Sequence, residues 1–179
     1  MRRIFLIFLS LAVLLCACGR QEWQNLRQFC ESFNRFASGT DHLAKIEPGQ
    51  FYARRSDDGV AYQVYLGDSL LLDCGALRSG RVHTVSLTGL PEQSQREFFD
   101  AARCVIQAYT GAAAAQAERW LRQVRAGEEE VPGVLGLEEE GFRFGYAANG
   151  AGRWLRVSQL RFLPPEPELA TLREEIMEE

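Results

Sequence analysis

Apolar residues recur along the chain at two spacings, and these spacings predict its helices and strands. Near the start, Leu26, Cys30 and Phe33 are three to four positions apart, and Trp23 and Ala37 extend the same stripe. This spacing predicts a helix over residues 21–38, with Gly39 following as a stop signal.

Four runs of strand-like composition come next. They span residues 51–55, 60–66, 70–77 and 82–88. Turns that contain Asp-Gly or Gly-Asp separate the first three runs, and a Gly-containing turn precedes the fourth. Such short connections favour antiparallel hairpins.

The chain then returns to helical spacing. Pro91 opens a second predicted helix, in which Ser94 and Glu97 have the spacing of a capping box. A third helix is predicted from Ala112, with Trp120 on its inner face. Three further strands are predicted over residues 134–137, 142–147 and 154–163.

The predicted order of elements is α-β4-α2-β3-α, where the last helix is a frayed one in the tail. Strands in runs and helices in a block indicate an α+β fold, here a two-layer sandwich with an antiparallel sheet and helices packed on one face. We expect a single domain over residues 18–163, followed by an acidic, proline-rich tail over residues 164–179.

The N-terminus has the order of a secretory signal. Arg2 and Arg3 precede an apolar run that ends at Leu15. The following Leu15-Cys16-Ala17-Cys18 resembles the lipobox of bacterial lipoproteins. The small residue Ala17 makes Cys18 the better lipidation site, whereas Leu15 fits badly before Cys16. Residues 1–17 are therefore expected to be a cleaved signal peptide, and an ordinary signal peptide with an incidental Cys is the alternative.

The resemblance implies a covalent diacylglycerol and an N-acyl chain on Cys18, which would hold the protein on a lipid bilayer. Gly19, Arg20 and Gln21 follow this Cys, and none is the Asp that resembles an inner-membrane retention signal. In a Gram-negative cell the expected location is the periplasmic face of the outer membrane. No cofactor is expected beyond the lipid.

The charge of the chain changes when the signal is removed. The full chain carries 20 basic and 24 acidic residues, and loss of Arg2 and Arg3 lowers the net charge from -4 to -6. The excess lies after Gly127, mostly in the tail. This balance argues against nucleic acid as a partner, because binding phosphates needs clustered positive charge.

Three cysteines remain in the mature domain after the lipobox. In an oxidising compartment they allow at most one bridge. We expect Cys74, at the end of a strand, to pair with Cys104 in the second helix, leaving Cys30 as a buried thiol. Three reduced cysteines in the core are the open alternative.

Motifs that carry chemistry are sparse. His42 and His83 are the only histidines, and the cysteines are scattered, so no metal site is expected. No G-x-S-x-G motif is present. No catalytic residue is assigned, and the protein is expected not to be an enzyme. A periplasmic hydrolase with a dispersed site near His83 is kept as an alternative.

A possible binding surface lies on the first two strands. Its candidate residues are aromatic or basic: Tyr52, Tyr62, Tyr65, Arg54 and Arg55. Exposed aromatic side chains on a sheet face suit contact with a partner. The leading expectation is a protein-binding lipoprotein with a role in envelope assembly, secretion or immunity, and a carrier of apolar ligands is a further alternative.

Overall fold

Seven antiparallel strands form one sheet in the computed structural model, which describes residues 24–57, 59–91, 94–126 and 136–162. The strands are β1 (Tyr52–Arg55), β2 (Gly59–Leu66), β3 (Leu70–Leu77), β4 (Val82–Gly89), β5 (Leu137–Glu139), β6 (Phe142–Asn149) and β7 (Gly152–Gln159). Their spatial order is β1-β2-β3-β4-β7-β6-β5. Two meanders of consecutive strands therefore meet where β4 pairs with β7.

Three α-helices accompany the sheet within the described residues. They are α1 (Leu26–Ala37), α2 (Gln95–Thr110) and α3 (Ala114–Ala126). Short 3-10 helices cover Pro48–Gln50 and Leu160–Phe162. One antiparallel sheet with separate helices confirms the predicted α+β fold. The predicted tail helix, the tail itself and the signal peptide lie outside the described residues.

One face of the sheet carries the core. Leu72, Leu87 and Leu155 stand opposite one another on β3, β4 and β7, and all three are fully buried. Helix α2 packs on β4 and β7, while α3 packs on β5 and β6. In the second contact Trp120 lies against Phe144, with 5.1 Å between ring centroids. The buried helix residues and this sheet face form one apolar cluster.

Helix α1 reaches the core through α2. Phe29, Cys30 and Phe33 are buried, and α1 packs along α2. Asn34 on α1 ties down the following connection, because its side chain exchanges two hydrogen bonds of 2.8 Å with the backbone of Ile46. The bonds satisfy backbone groups of a part-buried segment that has no sheet partner.

Several predicted boundaries differ from the structure. Helix α1 begins at Leu26, after an N-cap at Asn25, and not at residue 21; residues 21–23 lie outside the described residues. Ser94 is the N-cap of α2, but its side chain makes no capping bond, so the predicted capping box with Glu97 is wrong. The last strand ends at Gln159, earlier than predicted.

The strand predicted over residues 134–137 also differs. Residues 131–135 lie outside the described residues, and β5 covers Leu137–Glu139. The turn is confined to Glu140 and Gly141, both of which have positive φ.

Candidate functional site

The five residues of the predicted binding surface divide between the two faces of the sheet. Tyr52 pairs with Gln63, and the alternation of side chains places Tyr52, Arg54 and Tyr65 on the face opposite the core. Tyr62 pairs with Cys74 and packs partly buried against the core. Arg55 pairs with Val60 and shares that orientation. The contiguous patch of three tyrosines predicted from the sequence is therefore not formed.

The face opposite the core is largely polar, and we call it the polar face. Its residues are Tyr52, Arg54, Ala61, Gln63, Tyr65, Leu71, Asp73, Gly75, Thr84, Ser86, Thr88, Trp154, Arg156, Ser158, Arg143, Gly145 and Ala147. Tyr52 and Tyr65 are the most exposed large hydrophobic side chains among the described residues, at 70% and 68%. They are diagonal neighbours on β1 and β2, close enough for aromatic side chains to act together.

A row of polar side chains crosses the polar face perpendicular to the strands. Successive pairings join Gln63 to Asp73, Asp73 to Ser86, and Ser86 to Arg156. Gln63 donates a hydrogen bond from Nε2 to Asp73 Oδ1, and Arg156 Nε donates to Ser86 Oγ over 3.3 Å. Tyr52 begins this row at the edge of the sheet. These two bonds orient Gln63 towards Asp73 and Arg156 towards Ser86, and Ser86 itself is buried.

Arg156 is the cationic centre of the row. Its guanidinium lies 4.9 Å from the ring centroid of Trp154, a cation–π distance. Partial desolvation of the guanidinium lowers the pKa of Arg156, and the nearby Asp73 carboxylate acts in the opposite direction. The side chain is nevertheless exposed, so its charge reaches the surface at the end of the row that is remote from Tyr52.

The sequence interpretation missed this row. Asp73, Ser86 and Arg156 are far apart along the chain, and only the register of β2, β3, β4 and β7 brings them together. Ser86 lies between Val85 and Leu87, and this alternation is a local signal that its side chain faces away from the apolar core. No local pattern in the sequence predicts that β4 pairs with β7, because residues 90–151 lie between these strands.

His83 lies at an irregularity of the sheet. The pairing of β3 with β4 shifts between Gly75 and Ala76, so His83 is left without an opposite residue. The imidazole is half-buried and makes an edge-to-face contact with Phe162, 6.1 Å between ring centroids. Burial lowers the pKa of His83. No hydrogen bond within the described residues joins His83 to a hydroxyl, a thiol or a carboxylate.

The three mature cysteines are free thiols and are buried. Burial raises the pKa of Cys30 to about 11, and it raises the pKa of Cys74 and of Cys104. Cys30 adds to the shift at Cys74, whereas Asp100 and Arg103 act on Cys104. The bridge between Cys74 and Cys104 is not present in this structure, and the pairing stays a prediction.

Two further findings concern metals and membranes. Within the described ranges, no group of three or more His, Cys, Asp or Glu side chains is placed to hold a metal ion. Among the helices of residues 24–126, none is long and apolar enough to span a bilayer. Cys18 lies outside the described residues, so its lipidation stays a prediction from the sequence.

The chain was compared with protein-family models, with curated proteins and with solved structures. None of the three comparisons found a significant match. Cys18 and the polar face are the features of this chain that bear on its function.

Proposed function

We propose that the chain is a bacterial lipoprotein, anchored through Cys18 to the periplasmic face of the outer membrane, whose domain binds another envelope protein and catalyses no reaction. In this proposal α1, α2 and α3 form one layer and the sheet forms the second. The part of the polar face that carries Tyr52 and Tyr65 then looks outward. The last element of the order α-β4-α2-β3-α, a helix in the tail, belongs to the same proposal.

The observation that carries the binding role is the exposure of Tyr52 and Tyr65 beside Arg54. Tyrosine and arginine are enriched at protein interfaces, because each covers much apolar area and still offers hydrogen bonds. Two tyrosines that leave about 70% of their surface to solvent retain that area for a partner. Burying it would release water at little cost in side-chain entropy.

A protein suits this surface better than nucleic acid does. The polar face carries both signs of charge, with Arg54 on β1, Asp73 on β3 and Arg156 on β7. The mature chain as a whole has a net charge of -6, which repels a phosphate backbone. A mixed, hydrogen-bonded surface with aromatic residues at one side is typical of a specific protein contact.

A photo-crosslinking amino acid placed at Tyr65 tests the binding role in the native membrane. We expect a discrete adduct of higher mass, because position 65 faces the partner in this proposal. The matched control carries the same group at Arg119, which is exposed on α3. Equal adducts from both positions, or no adduct from position 65, would contradict the proposal.

The anchor has its own test in the pair of lipobox cysteines. Cys18→Ala is expected to abolish metabolic palmitate labelling and membrane fractionation, because the acylated thiol is removed. Cys16→Ala is the matched control and should retain both. Palmitate labelling that persists in Cys18→Ala would contradict the assignment of Cys18 as the lipidated residue. Sedimentation of the labelled protein with inner-membrane markers would overturn the proposed location.

A further inference from the structure

The first described residue, Gln24, is held at one end of the sheet. Its backbone oxygen accepts a hydrogen bond from the Val82 N–H over 3.0 Å. Its side chain donates from Nε2 to the backbone oxygen of Ala108 over 2.9 Å. The next residue, Asn25, forms an isolated antiparallel bridge with Arg81. Bonds to the start of β4 and to the last turn of α2 therefore fix Gln24 beside the turn that precedes β4.

Two turns of the sheet form the surface on this side of the molecule, which we call the anchor end. They are the β1–β2 turn, of which residues 56 and 57 are described, and the β3–β4 turn, with residues 78–81. Gly59 pairs with Leu77, so the two turns lie at the same end of their strands. Arg78 Nε donates to the backbone oxygen of Asp57 over 2.6 Å, which joins the two turns into one surface.

The β2–β3 turn, which contains Gly67 and Asp68, lies at the opposite end of the sheet. Strand β3 has eight residues, and an antiparallel strand rises about 3.4 Å per residue, so the two ends are about 24 Å apart. A turn at one end is therefore well separated from a turn at the other.

The chain between the proposed lipid anchor and Gln24 is short compared with the sheet. Gln24 follows Cys18 by six residues, and an extended chain spans at most about 3.4 Å per residue, so the two lie within about 20 Å of each other. Acyl chains on Cys18, on which this step rests through the proposed function, would hold that residue at the level of the headgroups. The anchor end then stays close to the bilayer, where the local concentration of headgroups is high.

The anchor end also carries side chains that can bind phosphate. Arg55 ends β1 and Arg78 follows β3, and both are exposed. Guanidinium groups match phosphate oxygens, and their long apolar stems allow them to reach a membrane surface. Asp57 lies at the same end, and residue 58 lies outside the described residues. The contact therefore depends on the closeness that the short connection imposes and not on a net positive charge.

We propose that the anchor end contacts phospholipid headgroups, with Arg55 and Arg78 bonded to their phosphates and the strands directed away from the bilayer. Tyr65 lies six residues from Gly59 along β2, so its backbone then stands up to about 20 Å farther from the headgroups than the anchor end does. A protein that binds Tyr65 must therefore extend beyond the headgroup layer.

Quenching of a fluorescent amino acid by spin-labelled headgroups measures which end of the sheet lies at the bilayer. The acylated protein is reconstituted into vesicles of phosphatidylethanolamine and phosphatidylglycerol that contain phosphatidylcholine with a nitroxide on its headgroup. The fluorophore replaces Ser79 in the anchor end or, as the matched control, Asp68 in the β2–β3 turn; both positions are exposed. We expect at least about twofold stronger quenching at position 79, because the two turns are about 24 Å apart. Equal quenching, or stronger quenching at position 68, would overturn the proposal.

Removal of two arginines separates the contact from the effect of the anchor alone. Arg55→Gln with Arg78→Gln should lower the quenching at position 79 at least about twofold, because bonds to headgroup phosphates are lost. The matched control, Arg35→Gln with Arg119→Gln, removes the same charge from exposed positions on α1 and α3 and should leave the quenching unchanged. No decrease in the first pair, or an equal decrease in both pairs, would contradict the contact. Thermal unfolding of each variant checks that the fold is retained.

Flotation of the same vesicles distinguishes failure of this contact from failure of the anchor. Acylated protein that floats with the vesicles but shows equal quenching at positions 79 and 68 overturns the contact and leaves the anchor at Cys18 standing. Protein that carries no acyl chain and does not float overturns both.

Discussion

At position 152 the backbone leaves no room for a side chain. Gly152 has φ of +130°, and a Cβ added there would stand 2.1 Å from the carbonyl oxygen of Gly89. The chain is pinned on both sides, because β7 pairs with β4 and β6 from this point onward. Glycine is therefore required where the turn enters β7.

We expect Gly152→Ala to lower the free energy of unfolding by about 2 kcal/mol or more, because backbone strain adds to a clash with backbone atoms that cannot move aside. Gly150→Ala is the matched control, since a Cβ at Gly150 meets nothing within 4 Å. Urea denaturation of both variants measures the difference. Equal stability of the two would show that the turn relaxes freely.

The starts of α1 and α2 differ in how their first N–H groups are satisfied. Asn25 Oδ1 accepts from the Gln28 N–H over 3.0 Å, and Gln28 Oε1 accepts from the Asn25 N–H over 2.9 Å. This is a reciprocal capping box. Ser94 occupies the same position before α2 without a side-chain bond.

Asn25→Ala should therefore destabilise the protein by about 1 kcal/mol, the usual loss on removing an N-cap side chain. Ser94→Ala should change the stability by less than about 0.5 kcal/mol, since no capping bond is lost. Thermal unfolding of the two variants under one condition provides the comparison. A larger effect at Ser94 would show that its hydroxyl caps α2 in solution.

The capping residues also show what the sequence could and could not predict about the elements. Ser94 and Glu97 have the standard spacing of a capping box, yet the box forms at Asn25 and Gln28, where the predicted helix had already begun. Helical periodicity locates the buried stripe through Cys30 and Phe33 but does not fix the first residue. Boundaries depend on local hydrogen bonds that several sequences can make.

Strand positions were predicted more closely than the surfaces that the strands form. Alternation located β2, β3 and β4 to within about a residue, since buried side chains must recur with a period of two. Tyr62 and Tyr65 are three residues apart in β2, so the same alternation already places them on opposite faces of the strand. Which tyrosine faces the core depends on the whole sheet, and so does the meeting of Asp73 with Arg156.

Local sequence patterns do not predict sites that are formed by residues from distant segments of the chain. The row from Gln63 to Arg156 joins β2, β3, β4 and β7, and the sequence marks none of its positions as unusual. A disulfide likewise requires a distance that spacing along the chain does not give. Cys74 lies on a strand and Cys104 on a helix as the sequence predicts, and both are buried free thiols in the structure.

The buried thiols make the stability of the whole domain sensitive to alkaline pH. An unfolded thiol has a pKa of 9.0, and burial raises the pKa of Cys30 to about 11 and also raises those of Cys74 and Cys104. The folded state therefore favours the protonated thiol. The preference for protonated thiols contributes fully to the free energy of unfolding below pH 9. This contribution is lost as the pH rises towards about 11.

With a reductant present, we expect the free energy of unfolding to fall steadily above pH 9. Cys30→Ala should make the fall shallower, although the cavity lowers its stability at every pH, so the slopes are the quantity to compare. Burial also raises the pKa of Tyr109, which contributes to the fall in both proteins and cancels in the comparison.

Oxidation links this pH profile to the predicted bridge. A disulfide between Cys74 and Cys104 would remove two titrating thiols, so the protein purified without reductant would lose less stability above pH 9 than the reduced protein. Peptide mass spectrometry under non-reducing conditions identifies the pairing directly. Identical pH profiles with and without reductant, together with three alkylated cysteines, would rule out the bridge and leave the free thiols of the structure as the state in solution.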